Sequence, residues 1–303
     1  MKKATSLSPS LLLSGILVLA SLVLLITPGL KLSIDFTGGT LMELVPASAN
    51  IANADVDEAI AKAPEFTPPL GNVDRTLTRD GTIILRMRDL TNEEHLQLRD
   101  HLDSALAGVT EQQFTTIGPT VGSTLKTRAM WALILAMGAI ILYVAFAFRA
   151  IPRKYSPMRF GVVAVITLLH DILLTVGIFI LVSQFTAFEI DTLFITALLT
   201  ILGYSVNDTI VIFDRLRDGL KGKTKASKNN FAALADEAVD KSWHRSLNTS
   251  ASTLIMLLCL LLLGSDSIQW FVLTLIVGTI IGTYSSLFVA PSLLVWWQAR
   301  SQK

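Results

Sequence analysis

The chain has 303 residues, of which only 16% are charged while 51% are apolar or aromatic, and its formal net charge is +1. A soluble protein carries charge on about a quarter of its residues, so an ordinary soluble enzyme is excluded and the apolar excess points to lipid. The single cysteine, Cys259, excludes an intrachain disulfide framework and a cysteine metal cluster.

The first apolar run is Leu11 to Ile26, interrupted only by Ser14, Gly15 and Ser21 and preceded by Lys2 and Lys3. Val18 and Ala20 are permissible before a cleavage at Ser21, but the run continues through Leu22 to Ile26, which reads as an uncleaved signal anchor. Residues 1–27 are therefore an N-terminus and a first membrane span. Residues 28–128 hold nine Lys or Arg and fourteen Asp or Glu, the composition of a charged soluble surface and enough chain for one domain of about 100 residues. Hydrophobic patterning predicts strands at 40–45, 72–78, 82–88 and 110–116 and helices at 54–63 and 92–107. Asn92 and Glu94 open the second helix, Leu96, Leu98, Leu102 and Leu106 follow, and Arg79-Asp80-Gly81 carries hairpin chemistry. The order βαββαβ is that of an α+β, ferredoxin-like domain.

Residues 129–303 contain five more runs: Ala129 to Phe148, Phe160 to Phe185, Leu193 to Phe213, Ser246 to Leu263 and Ile268 to Trp297. Runs of this length read as spans. The fold class is an α-helical polytopic membrane protein with six transmembrane helices and an α+β domain between the first and second. Gly138, Gly177, Gly278 and Gly282 would let the helices approach closely.

Two of these spans carry ionisable groups. An acid near the middle of a membrane costs about 2.5–3.5 kcal/mol on insertion scales, so it should face the bundle interior or a water path. In the third span His170 and Asp171 lie about 15 Å from the end at Phe160, near the midplane. One His beside one carboxylate is too few ligands for a metal site, and the two side chains can satisfy each other. In the fourth span Asp208 lies about 22 Å below Leu193. Thr200, Tyr204 and Asp208 share one helix face, with Gly203 and Asn207 beside them.

Asp214 to Arg245 is a basic connection, loop-like from Gly219 to Asn229. Phe231, Leu234, Ala235, Ala238 and Val239 then predict an amphipathic helix lying on the inner membrane surface. Lys221-Gly222-Lys223-Thr224 resembles the end of a phosphate loop, but Arg217 stands where the first Gly is needed and no strand precedes it. A solvated loop is the better reading. With no nucleotide engine the chain is not an enzyme, and any work it does draws on an ion gradient or a partner. Arg245 enters the fifth span at the depth of Asp208, and Asn248, Thr249, Ser252 and Thr253 continue a polar stripe. The alternative is that backbone holds Asp208 while Arg245 snorkels to lipid phosphate.

Sixteen of the 25 Lys and Arg fall in segments that are cytoplasmic if the N-terminus is, among them Arg149, Arg153, Lys154, Arg159, Arg300 and Lys303. The short connections Ser183 to Thr192 and Gly264 to Ser267 hold none. Positive charge marks the inside, so both termini are expected in the cytoplasm and 28–128 outside.

Several segments together resemble the SecF family, the smaller subunits of the SecD and SecF accessory to the bacterial Sec export channel. They are Asp35-Phe36-Thr37-Gly38-Gly39-Thr40, Ile117-Gly118-Pro119-Thr120-Val121-Gly122, His170-Asp171, Gly203 to Thr209 leading to Phe213-Asp214-Arg215, and Arg245 to Ser250. The resemblance implies a resistance-nodulation-division bundle half in the inner membrane, with its soluble domain in the periplasm. A SecD-like subunit would pair with it through a pseudo-symmetric interface. SecYEG, the emerging preprotein and the lipid bilayer complete the implied partners, with no nucleic acid. Protons are the implied coupling ion, with no cofactor and no metal, and the family's proton-linked acid and basic partner match Asp208 and Arg245. Two competing readings are half of a drug or lipid exporter and a passive assembly subunit.

Overall fold

The computed structural model describes residues 9–47, 51, 53–77, 81–149, 156–221 and 231–300. Lys2, Lys3, the hairpin residues Arg79 and Asp80, Arg153, Lys154, the loop from Gly222 to Asn229 and Lys303 lie outside them. The chain divides into two compact units, one comprising Lys31–Met130 with Glu189–Thr192 and the other the remaining residues.

In lipid an apolar run can satisfy its backbone only internally, which makes it a helix. Among the described residues six helical stretches are long and apolar enough to cross a membrane. They are α1 (Pro9–Ile26), α5 (Pro119–Ala147), α6 (Pro157–Ser183), α7 (Thr192–Lys221), α8 (Phe231–Leu263) and a last stretch made of α9 (Gln269–Tyr284), a π turn (Ser285–Val289) and α10 (Ala290–Arg300). The 18 residues of α1 rise about 27 Å, close to the hydrocarbon thickness of about 30 Å.

α6 is the centre of the helical unit. Phe160, Val163, Ala164, Thr167, Leu168, Asp171, Leu174 and Thr175 are buried along it at the spacing of one helix face. Its first ring, Phe160, packs with Phe148 and Phe213 at centroid distances of 5.7 and 5.4 Å. Leu234, Ala235 and Ala238 close the same cluster. The expected surface helix is therefore no separate element. It is the start of α8, a single helix of 33 residues, and its apolar stripe is buried against protein. The reason is local: Phe231 to Leu263 contains no Gly or Pro to end a helix. Gly177 sits against Ser21 and Gly278 against Ile201 with no room for a Cβ, whereas Gly138 has nothing within 4 Å.

The second unit is a four-stranded antiparallel sheet in the order β2-β3-β1-β4. Its elements are α2 (Ile34–Thr37), β1 (Gly39–Pro46), α3 (Asn53–Ala61), β2 (Asp74–Leu77), β3 (Ile83–Met87), α4 (Asn92–Ala105) and β4 (Val109–Ile117). After the unforeseen turn α2, these follow the expected βαββαβ order, with shorter β2 and α3. Met42 and Leu44 of β1 and Ile83, Leu85 and Met87 of β3 point to one face, where Val56 and Ala59 of α3 and Leu98 and Leu102 of α4 cover them. Leu102 is fully buried, a burial that contributes about 1.5–3 kcal/mol. Leu96 is 40% exposed. It lies two residues from Leu98, on the far side of the helix, so His95, Leu98 and Leu102 face the sheet instead.

Candidate functional site

Polar side chains inside the helical unit form two groups. The first is centred on Asp171, which is completely buried. His170 Nδ1 lies 2.8 Å from Asp171 Oδ1. Ser205 Oγ of α7 and Ser285 Oγ of the π turn both donate to Oδ2, the latter at 2.8 Å. Thr175 Oγ1 donates to the Asp171 carbonyl at 2.8 Å. Three helical segments thus meet on one carboxyl group. His170 and Asp171 were legible as an expensive pair, but the roles of Ser205, inside the Gly203 to Thr209 segment, and Ser285 were not, because an uncharged hydroxyl carries no comparable membrane cost to single it out. The only signal was the adjacent pair Ser285-Ser286 in the last run, Ile268 to Trp297, which carries no charge but also holds Gln269, Thr274, Thr279, Thr283 and Ser292.

The second group surrounds Asp208, one turn below Ser205 on α7 and 5% exposed. Ser246 and Arg245 of α8 lie within electrostatic reach of its carboxyl. Oδ2 is nevertheless buried without a hydrogen-bond partner, as are Thr209 Oγ1 and Ser246 Oγ. Buried polar atoms are nearly always paired, so unpaired ones call for a functional explanation. No ion pair within 4 Å joins Asp208 to Arg245 among the described residues, and Arg245 is exposed. Asp208 Oδ2 thus stands outside any network, whereas both oxygens of the Asp171 carboxyl are engaged.

The other expected residues divide between these surroundings. Tyr204 donates to Ser250 Oγ at 3.0 Å, and Ser250 lies 2.6 Å from Thr283 Oγ1. Thr200, Gly203 and Asn207 on α7, with Asn248 and Thr249 on α8, are exposed, a polar surface on helices that otherwise suit lipid. Asp214 pairs with Arg217 at 2.5 Å. Arg215 lines a cleft of about 220 Å³ with Asp218, Glu237 and Lys241. Among the described residues no group of three or more His, Cys, Asp or Glu is arranged to hold a metal.

The glycine motifs come together in the sheet unit. A Cβ on Gly39 would stand 2.5 Å from the Met87 carbonyl, and one on Gly122 would stand 2.8 Å from Gly38 N. A Cβ on Gly38 would stand 2.8 Å from Pro119 Cα. The turn at Phe36–Gly39 and the entry to α5 at Pro119–Gly122 therefore interlock through backbone, which only glycine permits at those positions. Gly118 itself has open space around it. Phe36 is buried beneath the turn. Asp35 Oδ2 accepts from Thr192 N at 3.0 Å and from Thr192 Oγ1 at 2.8 Å, a partnership between segments remote in sequence that no local pattern announces.

Residues 97–300 match the family described as protein export membrane protein SecD/SecF, C-terminal, and residues 23–45 match the SecD/SecF GG motif. Protein translocase subunit SecF of Thermobaculum terrenum is 36% identical over 95% of this chain and 90% of its own length. The subunit of the same name from Synechocystis is 34% identical over 96% of this chain and 92% of its own. The crystal structure of SecDF, a translocon-associated membrane protein from Thermus thermophilus, superposes with a TM-score of 0.81 at 29% identity, covering 97% of this chain and 38% of that one.

Proposed function

From the premise that the chain belongs to the SecF family of protein translocase subunits, we propose that it drives preprotein export by passing protons through Asp208, with Arg245 as the basic partner. The observation that carries this reading is a buried carboxyl on a spanning helix whose Oδ2 has no hydrogen-bond partner, within electrostatic reach of Arg245 on the next helix. Protons serve as the coupling ion without a cofactor. The subunit sits in the inner membrane with both termini in the cytoplasm, a reading supported by the distribution of Lys and Arg. The sheet unit is then periplasmic. Its antiparallel β2-β3-β1-β4 order supports a ferredoxin-like domain.

A SecD-like subunit covers the polar surface of Thr200, Gly203, Asn207, Arg245, Asn248 and Thr249. These groups are exposed in the single chain, and polar side chains at membrane depth are expensive unless protein or water meets them. SecYEG and the emerging preprotein are the remaining partners. Half of a small-molecule exporter is disfavoured by the full-length similarity to translocase subunits.

Asp208→Asn keeps the shape and removes the titration. In vesicles holding the assembled subunit and its partner, it should abolish proton flux and gradient-stimulated preprotein release while leaving assembly intact. Wild-type flux and release in that variant would make Asp208 a packing residue.

A further inference from the structure

Glu189–Thr192, the end of the connection from α6 and the first residue of α7, group with the sheet unit. Three independent contacts hold them there. Ile190 N donates to the Lys31 carbonyl at 2.8 Å and Ser33 N to the Ile190 carbonyl at 3.0 Å, making a parallel bridge between Leu32 and Ile190. Arg86 Nε of β3 lies 2.9 Å from Glu189 Oε1, with the two side chains 16% and 19% exposed. That contact is ionic rather than a well-aligned hydrogen bond, since Arg86 Nε has no partner of good geometry. The third contact is the Asp35 carboxylate, which takes both donors of Thr192.

The consequence follows from what Thr192 is. As the first residue of α7, it presents an N–H that the helix itself leaves unpaired, and an acid there also meets the positive end of the helix dipole. Asp35 satisfies both from α2, the short turn that leads into β1. Helix α7 then runs without interruption to Lys221 and carries Asp208. A hydrogen-bonded helix moves as one body, so its first turn cannot shift without straining these contacts. Burial raises the pKa of the Glu189 carboxyl while Arg86 and Lys31 oppose that rise, so the pair is held against a desolvation cost that plain surface pairing would avoid.

We propose that Glu189–Thr192 is a clasp that transmits displacement of α7 to the sheet unit, with Asp35, Arg86 and Glu189 as positioning residues. What displaces α7 rests on the proton reading of Asp208; the clasp itself rests on the contacts above. A merely structural role would lower assembly, proton flux and export together. A transmitting role separates them.

The test uses the full chain assembled with its partner and the export channel in vesicles. Arg86→Glu and Glu189→Arg should each lower gradient-stimulated export about tenfold, the factor that a loss of about 1.4 kcal/mol produces, while proton flux stays at the wild-type level. The double reversal should restore export. Should the reversals disturb folding, Asp35→Asn, which keeps the accepting oxygen, should export well where Asp35→Ala does not, again with flux retained in both. Unchanged export in the single variants, flux falling in step with export, or no rescue by the double reversal overturns the clasp. Asp208→Asn in the same vesicles separates the two ideas: if it conducts like wild type the proton reading falls, and the charge-reversal rescue of export still decides the clasp.

Discussion

Asp171 and Asp208 are both buried acids of the helical unit, but they differ in what surrounds them. Asp171 accepts from Ser205 and Ser285 and sits against His170, so each of its oxygens is engaged. A satisfied buried network is rigid, and removing one member leaves the others unpaired. Asp208 has an unengaged oxygen and loses little when its charge is removed. Asp171→Ala should therefore destabilise the purified subunit by about 1–3 kcal/mol, the cost of stranding buried donors, while Asp208→Asn should melt close to wild type. Thermal unfolding in detergent measures both. Equal melting temperatures for Asp171→Ala and wild type would show that the serines find other acceptors.

At the scale of elements, α4 shows how much was legible and how much was not. Its length and type follow from Leu98, Leu102 and Leu106, whose spacing needs no tertiary information. Its cap is also local: Thr91 Oγ1 accepts from Glu94 N at 3.3 Å and Glu94 Oε2 from Thr91 N at 2.9 Å. Arg88, just past β3, then grips the same carboxylate at 2.5 Å. Hydrogen bonding from Arg88, followed by that from Thr91, lowers the Glu94 pKa to about 2 from an ordinary 4.5. The lowered pKa makes this a stabilisation fully present above the unfolded value and lost as pH falls from about 4.5 through about 2. The isolated sheet domain, residues 31–124, should unfold cooperatively and lose stability across that window, and Glu94→Gln should flatten the loss. Thr91→Ala should cost about 1 kcal/mol at neutral pH. Urea unfolding at pH 6 and pH 3 measures each. An identical pH slope in Glu94→Gln would assign the acid sensitivity to other carboxylates. By contrast, α2 and the 189–192 connection were illegible because their partners are tertiary: Asp35 reads as part of a motif until Thr192, 157 residues away, supplies its donors. The start of α8 was misread for the opposite reason. Its amphipathic stripe is real, but a stripe alone does not tell whether lipid or protein covers it.

For the whole molecule, the arrangement of charge makes orientation a physical statement that can be tested. Residues 28–128 carry an acidic excess, while the connection from Asp214 to Arg245 is basic. Moving the basic segment outward would oppose the membrane potential by about 2.3 kcal/mol per charge for each 100 mV, whereas the acidic domain meets no such barrier. Glu93, exposed at the start of α4, and Lys241, exposed on the first turns of α8, therefore belong on opposite sides. Single cysteines at these positions, in a Cys259→Ser background, should react differently with a membrane-impermeant thiol reagent once the outer membrane is opened. Glu93→Cys should label in intact spheroplasts and Lys241→Cys only after lysis. The carboxyl of Asp208 would then lie on the cytoplasmic side of α7, with the clasp at the opposite end of the same helix, so that a proton arriving from the outside must travel most of the helix to reach it. Equal labelling of both cysteines before lysis would overturn this topology and with it the direction in which proton entry could do work on the sheet domain.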